Sequence, residues 1–187
     1  MNYNDYKESR DLSWRVLINE NIRELPVMVG QLCTQMGIQV RYYTPEDNND
    51  GLSTIINGKA WIFVSDQASP ERQRFTAAHE LGHIMLGHVG QYELVNREPS
   101  SGDNPIEQAA NVFASRLLAP ACVLWALNAH TPEEIAKLCQ ISMQAAAYRA
   151  ERMKILYDRN RFLYSPLERK VYAQFQNFIE AKRLERI

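Results

Sequence analysis

The chain has 187 residues, 45% of them hydrophobic and 23% charged, with a formal net charge of −1. These are the fractions of an ordinary soluble protein, one domain or one and a half, long enough to bury a substantial core. They exclude low-complexity and repeat architectures. No apolar run approaches the ~20 residues of a membrane helix, and the polar, acid-bearing segment from Met1 to Glu8 does not read as a secretory leader. Cys33, Cys122 and Cys139 are odd in number, far apart and in no C-x-x-C pair. They read as reduced thiols in a cytoplasmic protein.

In chain order, Asp11 to Leu25 has apolar residues at 14, 17, 18, 22 and 25, a helical period. Pro26 then opens a second helix through Met36, which Gly37 stops. Ile38 to Tyr43 reads as a strand, and Pro45 to Gly51 as an acidic loop. Two further strands, Ser53–Ile56 and Lys59–Ser65, flank Asn57-Gly58, a strong signal for a type I′ hairpin turn. The expectation is a small antiparallel three-stranded sheet. Trp61 to Val64 is its candidate edge for an extended substrate chain; the plainer reading is that it packs under the next helix.

That helix carries the most informative residues. Ser69 as N-cap, Pro70 at the first helical position and Glu71 in the first turn predict a helix over about 70–88. Within it stands His79-Glu80-Leu81-Gly82-His83. Residues on a helix advance about 100° each, so histidines four apart share one face and can reach one metal ion. Glu80, on the same turn, can take a proton from water beside that metal. This is the H-E-x-x-H arrangement of zinc peptidases. Three of the four histidines (His79, His83 and His88) fall within one ten-residue stretch. Continued as helix, the chain turns His88 away from the shared face.

Two histidines hold zinc poorly, so a third ligand is required. Asn104-Pro105 repeats the cap-then-proline signal and opens a second helix to about Leu118, with Glu107 in its first turn. Ala110, Asn111 and Ala114, at i+3, i+4 and i+7 from Glu107, form a small or polar stripe that could press on the histidine helix. Glu107 would complete a His₂Glu set around one Zn²⁺, and Asn111 is the candidate to orient a ligand.

The block Arg72-Gln73-Arg74-Phe75-Thr76, the motif from His79 to His83, and Glu107-x-x-Ala110-x-x-Phe113-Ala114-x-x-Leu117-Leu118-Ala119-Pro120 closely resemble the ImmA/IrrE family of metallopeptidases. The resemblance covers roughly residues 22–156 in order of elements. Carried over residue by residue, it implies His79, His83 and Glu107 as metal ligands and Glu80 as the catalytic glutamate. Ala119 stands where the family often has Met, a difference that touches packing. The resemblance also implies a substrate class: helix-turn-helix repressors, cut to release genes of phage-like elements or stress responses.

The last third differs. Thr131-Pro132 starts a short amphipathic helix, Gln140-Ile141-Ser142 makes a turn, and Met143 to Leu156 continues as a longer helix. This outlines a helix-turn-helix. The expected division is a peptidase domain over 1–128, a helix-turn-helix-like module over 129–160 and a terminal helix over 161–187. The fold class is α+β and mainly helical. Residues 1–128 carry 10 basic and 15 acidic side chains, and residues 129–187 carry 11 and 7. That asymmetry permits DNA contact, but Arg149, Arg152 and Lys154 beside Glu151 make a mixed face, which favours a structural or substrate-docking module. The alternative function is a non-catalytic regulator that binds a repressor or DNA through this module. His130, Tyr148 and Arg149 are open candidates for stabilising an oxyanion. Tyr172, Phe175, Phe178 and Ile179 form an apolar stripe for the body or a partner.

Overall fold

The structure, a computed structural model, describes residues 2–46, 49–90 and 104–185. Its elements are α1 (Tyr3–Asn19), α2 (Val29–Gln35), β1 (Gln39–Tyr43), β2 (Gly51–Ile56), β3 (Lys59–Ser65), α3 (Pro70–Met85), α4 (Pro105–Leu118), α5 (Ala121–Ala126), α6 (Pro132–Cys139), α7 (Met143–Asp158), α8 (Pro166–Gln174) and α9 (Gln176–Leu184). The class is α+β with one small sheet. The loop expected at 90–104 lies, from 91 to 103, outside the described residues, as do Asp47 and Asn48. Two compact units form, one of Met1–Ser13 with Met28–Ala114, the other of Trp14–Val27 with Ser115–Ile187.

In the first unit, β2 and β3 make the expected hairpin, and both turn residues take positive φ, 51° at Asn57 and 74° at Gly58. The sheet itself is mixed, which corrects the antiparallel expectation. Its order is β1-β3-β2, with β1 parallel to β3. The turn chemistry of Asn57-Gly58 specifies the hairpin but says nothing about where β1 docks. The most apolar strand takes the middle, where it is paired on both sides. Trp61–Val64 is therefore no edge; among the described residues β1 and β2 are the outer strands.

Side chains alternate across the sheet. Ile62 and Val64, fully buried, share a face with their cross-strand partners Ser53 and Gly51, and α3 packs on β2 and β3. Trp61 and Phe63 stack on each other on the other face, with Arg41 over the Trp61 ring. Gly51 is required by its neighbours: a Cβ there would fall 2.8 Å from the Phe63 carbonyl oxygen and collide with the Thr76 side chain. Arg72 at the start of α3 pairs with Asp50, tying the helix to the entrance of β2.

In the second unit, α6 starts with a full capping box between Thr131 and Glu134, and α7 with a Ser142 cap. Gln140, in the left-handed region with φ 49°, turns the chain between them. The single terminal helix expected beyond residue 161 is two, α8 and α9, broken at Phe175. Of the expected stripe Phe175 and Ile179 are buried, together with Val171, while Tyr172 and Phe178 are half-buried. Gln174 donates to the carbonyls of Leu17 and Ile22, and Arg183 to that of Ala126.

The stretch Pro105–Ala126 has the length and mean hydropathy, 1.4, of a membrane-crossing helix, although Glu107, Asn111 and Arg116 interrupt its apolar pattern. It therefore departs from the expectation that no stretch reaches that length. Within the protein it is folded as two helices, α4 and α5, 78% of its most apolar window being buried. All three cysteines are free and buried. Burial pushes the Cys33 and Cys139 thiols up to about 12 and raises Cys122 as well.

Candidate metal centre

Helix α3 begins as its sequence dictates. The Ser69 hydroxyl accepts from the Arg72 backbone N–H, and Pro70 occupies the first position. The helix buries Thr76, Ala77, Ala78, Glu80, Leu81, Gly82 and His83. In α4 the Asn104 side chain accepts from the Ile106 N–H, which puts Glu107 in the first turn. Gly82 sets how closely the two helices approach. A Cβ at that position would lie 3.0 Å from the Phe113 ring and 3.3 Å from the Ala110 backbone. A motif residue that looks like a spacer thus admits the helix that carries Glu107.

The three expected ligands come together. His79 Nε2 lies 2.9 Å from His83 Nε2 and 3.1 Å from Glu107 Oε2, and His83 Nε2 lies 3.4 Å from Glu107 Oε1. One nitrogen or oxygen atom from each falls within 4.8 Å of the others. Two imidazole nitrogens and a carboxylate converging on one point are a donor set for a divalent ion. The His79 and His83 rings beside it hold the Glu107 carboxyl well below the usual carboxylate range, against the opposing effect of burial. The group is therefore in the ionised form that ligation needs.

The outward ring nitrogens are engaged too. His79 Nδ1 stands 3.0 Å from Asn111 Oδ1, the contact expected of Asn111 one turn along α4. His83 Nδ1 stands 3.1 Å from His88 Nδ1. That second contact corrects the reading of His88 as turned away. The helix ends at Met85, not at residue 88, and the chain reverses through Gly87 with φ 73°. The signal was Gly87 itself, the left-handed residue that closes a helix.

Glu80 is 2% exposed, and its Oε2 accepts a 2.6 Å hydrogen bond from the Ser53 hydroxyl on β2. Nothing in the strand's alternation marked Ser53, because its role depends on the register of β2 beneath α3. Arg149, considered for the oxyanion, is buried in the second unit, where its Nε donates to the Ala119 carbonyl. His130 there meets Asn128 Oδ1 and packs on the Tyr157 ring, and Tyr148 is exposed.

Residues 33–151 match the peptidase family described as the IrrE N-terminal-like domain. The chain belongs to that family. Among curated proteins it is 33% identical over 98 residues to the radiation response metalloprotease IrrE of Deinococcus radiodurans, a match covering 46% of this chain and 29% of the relative. The protein of the same name from Deinococcus deserti is 35% identical over 98 residues, covering 46% and 34%. The chain thus spans about a third of the length of these relatives. The IrrE-like family, with a His₂Glu donor set inside the matched region, makes a metal-dependent peptidase the chemistry to test.

Proposed function

We propose that this protein is a zinc-dependent, site-specific endopeptidase of the cytoplasm, with His79, His83 and Glu107 holding one Zn²⁺ and Glu80 as its catalytic residue. The convergence of those three side chains from two helices carries the reading. A bound zinc ion supplies a Lewis acid that makes water a nucleophile near neutral pH and polarises a carbonyl. Glu80 takes a proton as the water oxygen attacks the scissile carbon. It then delivers that proton to the amine nitrogen as the C–N bond breaks. Ser53 holds the carboxylate in place during both transfers.

An extended peptide fits such a site when it adds to a sheet edge, which fixes its register by backbone hydrogen bonds. Among the described residues β2 is an outer strand and carries Ser53, which supports β2 rather than the central β3 as the substrate edge. The proposed substrate is a helix-turn-helix repressor whose cleavage releases the genes it silences. Three unpaired buried thiols suit a reducing compartment. In the 129–160 module, α6 and α7 form a helix-turn-helix-like pair. The outer face of α7 exposes Gln144, Tyr148, Glu151 and Ile155, a mixed surface that supports docking of a protein more than of a phosphate backbone.

The test is incubation of zinc-loaded protein with a helix-turn-helix repressor from the same genome, followed by mass spectrometry of the products. One discrete cut, abolished by a chelator and by Glu80→Gln with metal content intact, is expected. Intact repressor bound stoichiometrically to the wild-type chain would instead establish the non-catalytic regulator.

A further inference from the structure

We propose that His88 is a positioning residue for the metal centre: it accepts the Nδ1 proton of His83 and so fixes the tautomer and ring plane that turn His83 Nε2 toward His79 and Glu107. The inference rests on reading His83 as a ligand and adds a residue outside the H-E-x-x-H pattern.

A neutral imidazole carries one ring proton. His83 Nε2 faces the cluster, 2.9 Å from His79 Nε2 and 3.4 Å from Glu107 Oε1, so to ligate a metal that nitrogen must be bare. The proton then belongs on Nδ1 of a residue only 3% exposed. A buried donor without an acceptor is costly. Among the described residues, His88 Nδ1 lies within reach at 3.1 Å and accepts when His88 carries its own proton on Nε2. His79 is treated in the same way from the other helix, where Asn111 Oδ1 lies 3.0 Å from its Nδ1. Each motif histidine therefore has a dedicated acceptor behind it.

The backbone explains how a residue five positions on returns to the motif. Leu86 caps α3, Gly87 takes the left-handed conformation, the Gly87 N–H donates to Ile84 O, and the His88 N–H donates to His83 O. This is the Schellman pattern, which brings the side chain of the second residue past the cap onto the residue three before it. Here those two are His88 and His83, whose ring centroids stand 5.2 Å apart. An apolar pair is usual at these positions. Two imidazoles meeting nitrogen to nitrogen put a hydrogen bond in its place.

The experiment is competition for Zn²⁺ between a chromophoric chelator and the stripped full-length chain, with thermal melting of the metal-free protein alongside. His88→Ala is expected to weaken zinc binding by about 10–100-fold, the usual effect of losing such a partner. His88→Asn, whose Oδ1 accepts at similar reach, is expected to recover most of the affinity. Gly87→Ala, which leaves His88 chemically intact but strains the turn, should weaken zinc as well. In zinc-loaded protein, nitrogen-15 NMR should show the His83 proton on Nδ1. His83→Ala separates the two readings. If it binds zinc as tightly as wild type, the metal assignment itself fails. If it loses zinc while His88→Ala does not, or if His88→Asn is as weak as His88→Ala, the positioning role is overturned. A His88→Ala chain that melts earlier when metal-free but binds zinc normally would also overturn it.

Discussion

Both units send buried polar side chains to backbone carbonyls, as Ser9 and Ser13 do in the first, and the first also turns some of them toward one another. In the second, buried or half-buried donors go to backbone carbonyls: Arg149 to Ala119, Gln174 to Leu17 and Ile22, Arg183 to Ala126. Each satisfies an acceptor at or beyond the end of a helix, where carbonyls lack an intrahelical partner. In the first unit, His79, His83 and Glu107 turn toward one another, and Asn111 and His88 behind them each meet a ring nitrogen. The destination of a polar side chain separates scaffolding from chemistry. Backbone acceptors mark the former, and convergent side-chain donors the latter.

The largest expected effect crosses that line in both directions. Glu107→Ala should cost more zinc affinity than the roughly 10–100-fold lost with an outer partner, while leaving the metal-free fold intact. Arg149→Met should do the reverse, lowering stability by about 2 kcal/mol through its lost hydrogen bond and leaving zinc binding unchanged. Chelator competition and urea denaturation of both variants check this. If Arg149→Met weakened zinc as much as Glu107→Ala, the distinction would not hold.

Ser53→Ala comes next. Removing the 2.6 Å bond to Glu80 should lower kcat about tenfold with zinc affinity preserved, since the carboxylate loses its fixed orientation. A steady-state comparison with a cleavable repressor reads it. Gly82→Ala sets two smaller terms against each other. Alanine gains about 1 kcal/mol of helix propensity over glycine. Against that, its methyl at 3.0 Å from Phe113 forces the helices apart at a cost of about 1–3 kcal/mol. Overpacking wins, and zinc affinity falls with stability. A more stable chain with unchanged affinity would show that α4 yields freely.

The cysteines give the smallest effect. Cys33 is raised to about 12 from 9.0, so the folded state favours the thiol. Its contribution to stability is fully present below about pH 9 and is lost as pH rises toward the folded value. Alkylation near pH 9 should be fast in urea and slow in the native chain. Rapid native labelling of Cys33 would contradict its burial.

Much of the site was legible because its signals are local. Ser69-Pro70, Asn104-Pro105 and Thr131-Pro132-Glu133-Glu134 announce helix starts by chemistry that acts within one turn. The His79–His83 spacing follows from helix geometry, and Glu107 from the need for a third donor. What escaped depends on contacts between distant segments. The docking of β1 beside β3 follows from where the most apolar strand buries both edges, not from any turn residue. Ser53 matters only through its register under α3. His88 eludes helical periodicity because α3 stops at Met85 and the chain turns at Gly87, although that glycine is a local signal. The break at Phe175 carries neither glycine nor proline, so nothing in the chain announced it.

X-ray absorption at the zinc edge of the loaded, full-length chain tests the central claim most directly. The account predicts one zinc per chain, with two imidazole nitrogens at about 2.0–2.1 Å, a carboxylate oxygen and no sulfur. In Glu107→Ala both imidazoles should remain while the oxygen shell changes. A sulfur shell, or a spectrum indifferent to loss of His79, His83 and Glu107 in turn, would contradict it.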